Sequence, residues 1–430
     1  MPFLKFNTNL LNFNNPNYKL KLVQGEKRFL KLFLVFIIIY PNILFSNNIP
    51  KKKLDAELKS LVNQGSVMVA SEKKILYRYP PKRNFKLIPA SVLKLATALA
   101  AKHYLGLTFQ FSTDFYLSGN NSLLIRGRGD PFLVSEKWEI ISKKLSQLAN
   151  LPKKLKKLSF DTSLFSEKIQ IPGTEFSRNP YDATNGALVV NFNTVYLKVV
   201  SNGIILSAEN QTPLTPLARR LGENLPIGSH RIRIPSGLEV PYAGEVIREF
   251  LAKMGFSFDS KKINFQLVTG DDVQLYTHLN KMTLSEIIAG MMLYSNNFTA
   301  NQLLLSIGLK RYGAPTSLKK GNMAIREYLN KELKIPLDQF DIFEGSGISR
   351  KNRLTTDAVL LLLKAFSNEQ YLLNNDRGIF FKTGTLKGVY NMAGYLKENL
   401  FFVILLNQKR NNRDKILDLL LSIDFLESKL

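Results

Sequence analysis

The sequence predicts an α+β fold, an antiparallel sheet packed with helices and interrupted by a β-rich inserted region. Three observations predict it. Near the C-terminus, "IFFKTG", "VYNMAGYL" and "LFFVILLNQ" are apolar runs parted only by turn residues. Strands that follow one another without a helix between them pair antiparallel. Near the other end, "PASVLKLATALAA" (Pro89 to Ala101) is an almost wholly apolar helical stretch, the pattern of a helix buried on every side. From about Phe111 to Tyr276 the texture changes to short strand-like pieces alternating with turn residues, the pattern of a β-rich module set into the chain.

Taken in order, residues 1 to 28 are polar and end in Lys27-Arg28, Phe29 to Tyr40 is almost wholly apolar, and a short tail leads to Ser46. A basic flank, an apolar core of about a dozen residues and a small residue form the layout of a secretory signal, shorter than the roughly 20 residues of a membrane span. Residues 1–46 are therefore expected to be a signal peptide, with an uncleaved anchor as the alternative, and the protein is expected to be exported to the periplasm or cell envelope. Residues 54–110 then form the first part of the main domain: a short helix in "LDAELKSLVNQ", a hairpin of "SVMVA" and "ILYRY" around "SEKK", and one continuous helix from Pro89 to about Leu105. The inserted region spans 111–276, enough for one domain and a smaller nested one. Its strand candidates include "STDFYL", "SLLIRG", "KLSFD", "VYLKVV", "IILSA" and "HRIRI", with helices at Val134 to Leu148 and Ala243 to Met254. Residues 277–430 return to the main domain, with helices at Thr283 to Gly308, Met323 to Leu333 and Thr355 to Ala365, the three apolar strands, and a closing helix from Asn412 to Leu421.

Composition narrows the chemistry. The 430 residues carry 59 Lys+Arg against 34 Asp+Glu, a formal charge of +25. That excess suits an anionic membrane or wall surface for peripheral association, or reflects a lysine-rich compositional bias. The lysines are spread along the chain and no nucleic-acid-binding signature accompanies them, so nucleic acid is not an expected partner. There is no cysteine, which removes thiol nucleophiles and thiolate metal sites. The three histidines, His103, His230 and His278, are far apart and form no metal-binding motif, so neither a metal nor a cofactor is expected.

Three short motifs can carry chemistry. Ser91 and Lys94 stand at i and i+3 at the start of the apolar helix, where an amine can reach a hydroxyl. A lysine desolvated by apolar neighbours can lose its proton and act as base for a serine nucleophile. The same spacing recurs at Ser71/Lys74 and Ser317/Lys320, and an N-capping serine with a snorkelling lysine is the competing reading. His103 lies twelve residues along the same helix, about 18 Å away, too far to serve Ser91. Ser295-Asn296-Asn297 opens a helical pattern and offers a hydroxyl for proton relay and an amide for a substrate carbonyl; helix capping is the alternative. Lys382-Thr383-Gly384-Thr385 lies on an apolar strand. There a cation and hydroxyls can hold a carboxylate, Gly384 would let a ligand backbone approach the edge, and the Thr385 N–H can complete an oxyanion hole with that of Ser91.

Ser-x-x-Lys, Ser-x-Asn and Lys-Thr-Gly in that order match a signature of penicillin-binding proteins and β-lactamases. With "GRGDPFL", "DTSLF", "NFNTVYLKV", "EGSGISRKNRLTT" and "KTGTLKGVYNMAGYL", the chain resembles the class C low-molecular-mass penicillin-binding proteins, the D-alanyl-D-alanine carboxypeptidase/endopeptidases, from about Leu54 onward. The resemblance implies a penicillin-binding/β-lactamase-like transpeptidase domain with the family's insertion, hydrolysing the D-alanyl-D-alanine bond, or a cross-link, through an acyl-serine. It implies peptidoglycan stem peptides as substrates and β-lactam antibiotics as covalent inhibitors. By the same resemblance Ser91 is acylated, Lys94 is its base, Ser295 relays a proton, Asn297 contacts substrate, and Lys382, Thr383 and Thr385 bind the terminal carboxylate. A catalytically weak penicillin- or peptidoglycan-binding envelope protein is the alternative. Asn296 and Glu344 each stand where the family has Asp, and the path from Phe366 to Lys382 is short.

Overall fold

The computed structural model describes residues 51–81, 84–119, 121–175, 177–423 and 425. The signal peptide expected over residues 1–46 lies outside the described residues. Helix α1 (Lys51–Leu61) precedes the hairpin of β1 (Gly65–Ala70) and β2 (Ile75–Tyr79), and α2 (Lys94–Leu105) follows. Lys94 through Ala101 are all buried, because that length of the helix is enclosed by other elements, while its last turn, with His103, reaches the surface. Burial of Leu95 and of Leu99 contributes about 1.5–3 kcal/mol each.

The chain then runs through β3 (Gln110–Ser118), β4 (Ser122–Gly127), α3 (Ser135–Ser146), β5 (Lys154–Leu155) and β6 (Leu158–Asp161). Next come β7 (Thr194–Val199), β8 (Ile205–Ser207), α4 (Pro216–Gly222), β9 (Gly228–Arg233), α5 (Glu239–Lys253), β10 (Ser257–Phe258), β11 (Ile263–Phe265) and the long β12 (Val273–Thr283). The main sheet here has the order β11-β6-β4-β3-β12, and β7 is flanked by β8 and β9 in a smaller sheet. β3 pairs antiparallel with β4 and β12, but β4 pairs parallel with β6, and β6 with β11. Amphipathic α3 lies between β4 and β6 in the chain, and such a crossover returns the next strand in the same direction. Trp138 and Ile141 of α3 and Tyr242 and Ile247 of α5 share a core with Phe115, Ile125 and Phe160 of that sheet.

After β12 come α6 (Leu284–Tyr294), α7 (Asn297–Tyr312), α8 (Leu318–Glu327), β13 (Phe340–Asp341), β14 (Arg353–Leu354) and α9 (Thr356–Ala365). The stretch read as one helix from Thr283 to Gly308 is broken at Ser295. The chain ends with β15 (Asn374–Asp376), β16 (Ile379–Leu386), β17 (Val389–Tyr395), β18 (Phe401–Leu406) and α10 (Arg413–Leu421). The six-stranded sheet has the order β15-β16-β17-β18-β1-β2 and is antiparallel throughout. Side chains alternate across it. Met68, Ala393, Val403 and Leu405 pack with α2 and the other helices of that side, while Val67, Phe402, Ile404 and Leu406 pack with α1 and α10. Among the described residues no helix is long and apolar enough to cross a membrane.

Candidate active site

The apolar stretch that opens at Pro89 does not begin as an α-helix. Ala90–Leu93 is a 3-10 turn, and α2 starts only at Lys94. In a 3-10 turn the side chains at i and i+3 eclipse, so Ser91 and Lys94 stand one above the other more closely than an α-helix would set them. Ala90 enters this turn at φ 46°, a left-handed conformation uncommon outside glycine and typical of over-determined functional sites. Neighbours hold it there. The Ile88 carbonyl accepts from Asn391 Nδ2 at 2.8 Å and Asn407 Nδ2 at 3.2 Å, and the Ile88 N–H donates to Asn407 Oδ1 at 2.8 Å. The Ala90 carbonyl lies against Gly347, where a Cβ would come within 1.9 Å of it.

Lys94 is fully buried. Its Nζ donates to Ser91 Oγ at 2.9 Å, Asn297 Oδ1 at 2.8 Å and the Ser346 carbonyl at 2.7 Å. Burial lowers its pKa well below the ordinary lysine value, the charge of Lys382 lowers it further, and Glu344 opposes both. The Asn297 and Ser346 oxygens can only accept, so they keep two hydrogens on the amine. The remaining position, facing the serine hydroxyl, is where a lone pair can replace the third.

The Ser346 carbonyl is positioned by Glu344, a carboxylate with no exposed surface. One oxygen accepts from the Gly347 N–H at 2.7 Å, the Ser349 N–H at 3.3 Å and Asn352 Nδ2 at 2.6 Å. The other accepts from the Ser346 N–H at 2.7 Å, Ser346 Oγ at 2.6 Å and Asn301 Nδ2 at 3.0 Å. Both oxygens meet only donors, so an amide in place of the carboxylate would turn its own N–H groups against them. Glu344→Gln is expected to cost about 3 kcal/mol of stability, measured by urea unfolding. It should also move the acid limb of activity to lower pH, because Glu344 holds the Lys94 pKa up. In the sequence Glu344 stands out only as a departure from a family pattern. The dense polar run "EGSGISRKN" was the available signal for the loop it organises.

Ser295 sits between α6 and α7 at φ 51°, ψ 39°, a second left-handed non-glycine residue. Asn296, the N-cap of α7, accepts from the Thr299 N–H at 2.9 Å. Helix capping, the alternative for this motif, is the role of Asn296, while Ser295 and Asn297 face the two lysines. Lys382 Nζ donates to Ser295 Oγ at 3.0 Å and to the Thr383 carbonyl at 2.9 Å. Its pKa is pushed down to about 8 by burial first and then by the charge of Arg413.

On the strand, Gly384 packs against the turn that bears Ser91. A Cβ there would lie 2.6 Å from the Pro89 carbonyl oxygen and 3.1 Å from the Ser91 N. The missing side chain is what lets β16 lie directly against the turn bearing Ser91. Thr385 Oγ1 accepts from Arg413 Nη1 at 3.2 Å. Asn301, Asn391, Asn407 and Arg413 were not foreseen, since single asparagines and arginines carry no spacing signal. His103 packs on Tyr104 and Tyr328, away from this group.

A family model and several known proteins are similar to this chain. A family model described as the D-Ala-D-Ala carboxypeptidase 3 (S13) family matches residues 46–217 and 235–377. The D-alanyl-D-alanine carboxypeptidase DacB of Haemophilus influenzae is 26% identical, over 75% of this chain and 80% of its own length. A D-alanyl-D-alanine carboxypeptidase of Actinomadura sp. is 25% identical, over 72% of this chain and 71% of its own. The crystal structure of penicillin binding protein 4 from Haemophilus influenzae shares the fold, with a TM-score of 0.67 at 23% identity, covering 87% of this chain and 95% of that one.

Proposed function

The chain belongs to the D-Ala-D-Ala carboxypeptidase 3 (S13) family and is a serine-type D-Ala-D-Ala carboxypeptidase; we propose that Ser91 is its nucleophile and Lys94 the base that activates it. The observation that carries this assignment is the buried Lys94 amine, 2.9 Å from Ser91 Oγ with two further fixed acceptors. In its neutral form Lys94 takes the Ser91 proton as Oγ attacks the carbonyl of the penultimate D-alanine. The peptide N–H groups of Ser91 and Thr385 face the developing oxyanion. Ser295, bonded to Lys382, passes a proton to the departing amine, and water then releases the acyl group from Ser91. Asn297 spends its oxygen on Lys94 and has its amide N–H groups left for the substrate. Charged Lys382 binds the terminal carboxylate, with the Thr383 and Thr385 hydroxyls beside it and Gly384 keeping the strand close to Ser91.

Residues 54–110 and 277–430 form the catalytic domain, and 111–276 an inserted domain with the β7–β9 sheet as its nested part. The substrate is a peptidoglycan stem peptide and β-lactams acylate the same serine. A crystal structure of the Haemophilus relative is described as complexed with a β-lactam, which supports that assignment. Residues 1–46 direct export to the periplasm or envelope, and are removed. The test is D-alanine release from a peptide ending in D-Ala-D-Ala, followed against pH. The acid side falls as Lys94 becomes protonated and can no longer accept a proton. The alkaline side falls as Lys382 loses its charge above about pH 8. A bell-shaped profile is therefore expected, and a rate independent of pH on both sides would refute the two lysine roles.

A further inference from the structure

We propose that Arg413, the first residue of α10, is a second cation of the subsite that takes the substrate's terminal carboxylate, an assignment that rests on the carboxypeptidase reading. β15 pairs with β16 only at Ile379, Phe380 and Phe381, so the strand edge from Lys382 onward has no β partner. Strand alternation sends Lys382 to the face holding Ser91 and Thr385 to the opposite face, where α10 begins. A ligand lying along this open edge would have Lys382 on one face of the strand and Arg413, bonded to Thr385, on the other.

The guanidinium is already fixed beside Thr385, over β16 and its neighbour β17. Nη1 donates to Thr385 Oγ1 at 3.2 Å and to the Asn391 carbonyl at 3.4 Å. Nε is 3.5 Å from Asp414 Oδ1, a carboxylate on a 66% exposed side chain, while the Arg413 side chain is only 15% exposed. Nη2 donates to no group among the described residues, which leaves one prong of the fork for an anion. The chemistry favours a guanidinium here. Lys382 is lowered to about 8 and loses part of its charge just above neutrality, whereas arginine stays charged throughout.

Two thioesters of N-acyl-D-alanine separate the roles, one with a mercaptoacetate leaving group that carries the carboxylate and one with the uncharged mercaptoacetamide. Arg413→Met should lower kcat/KM for the mercaptoacetate ester about 10- to 100-fold, and for the mercaptoacetamide ester by less than about twofold. Arg413→Lys should recover part of the difference. In Arg413→Met the alkaline fall of activity should also shift to higher pH, because a charge that lowers the Lys382 pKa has gone. The shift reports the charge of Arg413, and the difference between the two esters reports its contact with the carboxylate. Equal losses on both esters, or none on the mercaptoacetate ester, would overturn the assignment while leaving the carboxypeptidase reading intact. Wild-type protein showing no Ser91-dependent turnover of either ester would end that reading, and this assignment with it.

Discussion

Ser91→Ala is expected to take no covalent label from a fluorescent penicillin and to release D-alanine at the background rate. Removing the atom that forms the acyl bond leaves binding and oxyanion contacts but no intermediate, a loss on the order of 10⁴-fold or more. Stability should barely change. Among the described residues Ser91 Oγ has one hydrogen-bond partner, Lys94 Nζ, and losing one such bond costs about 1 kcal/mol. Labelling of the variant at the wild-type rate would remove Ser91 from the mechanism. Label on the wild type without D-alanine release would instead mark a penicillin-binding protein that does not turn over.

The second large effect is expected at Lys94. Lys94→Arg keeps a cation but cannot give up a proton in the working range, and its planar head does not fit three acceptors placed around a single nitrogen. Acylation should fall about 10²- to 10⁴-fold, the range for loss of a positioned base. The residual labelling should lose its acid limb, because no group remains whose deprotonation gates the attack. A variant that retained the wild-type limb would show that another group is the base. Lys94→Met offers a variant of smaller volume, with the same expected loss and without the charge. The direction of the Lys94 pKa shift makes the prediction definite: burial outweighs the opposing Glu344 carboxylate.

Much of the scaffold could be read from sequence because its patterns are local. The runs that became β16, β17 and β18 alternate or are continuously apolar between turns, and α9 and α10 carry clear helical periods. The motif residues were legible for a different reason, as ordered short spacings in an otherwise apolar setting. What escaped was non-local. The 3-10 turn at Ala90–Leu93 exists because Asn391, Asn407 and Gly347, far along the chain, hold Ile88 and Ala90 in place. Nothing within "PASVLK" could reveal this. The parallel pairs of the inserted sheet depend on where α3 packs, which strand propensity does not report. Glu344 reads as an ordinary acidic residue until six donors converge on it.

The pairing of β1 with β18 has a consequence in time. Gly65 lies opposite Leu406 and Ala70 opposite Phe401, so the sheet that supports the nucleophile joins strands from near both ends of the described chain. Closing so large a loop carries an entropy cost that grows only logarithmically with length, which is why the long insertion is tolerated at equilibrium. Kinetically it places sheet closure among the slow, high-contact-order steps of folding. A growing chain can assemble the inserted module from its own residues before β18 exists. It cannot hold Ile88 until Asn391 and Asn407 have been made, so the nascent protein carries its serine and lysine for most of its synthesis without a working acylation site.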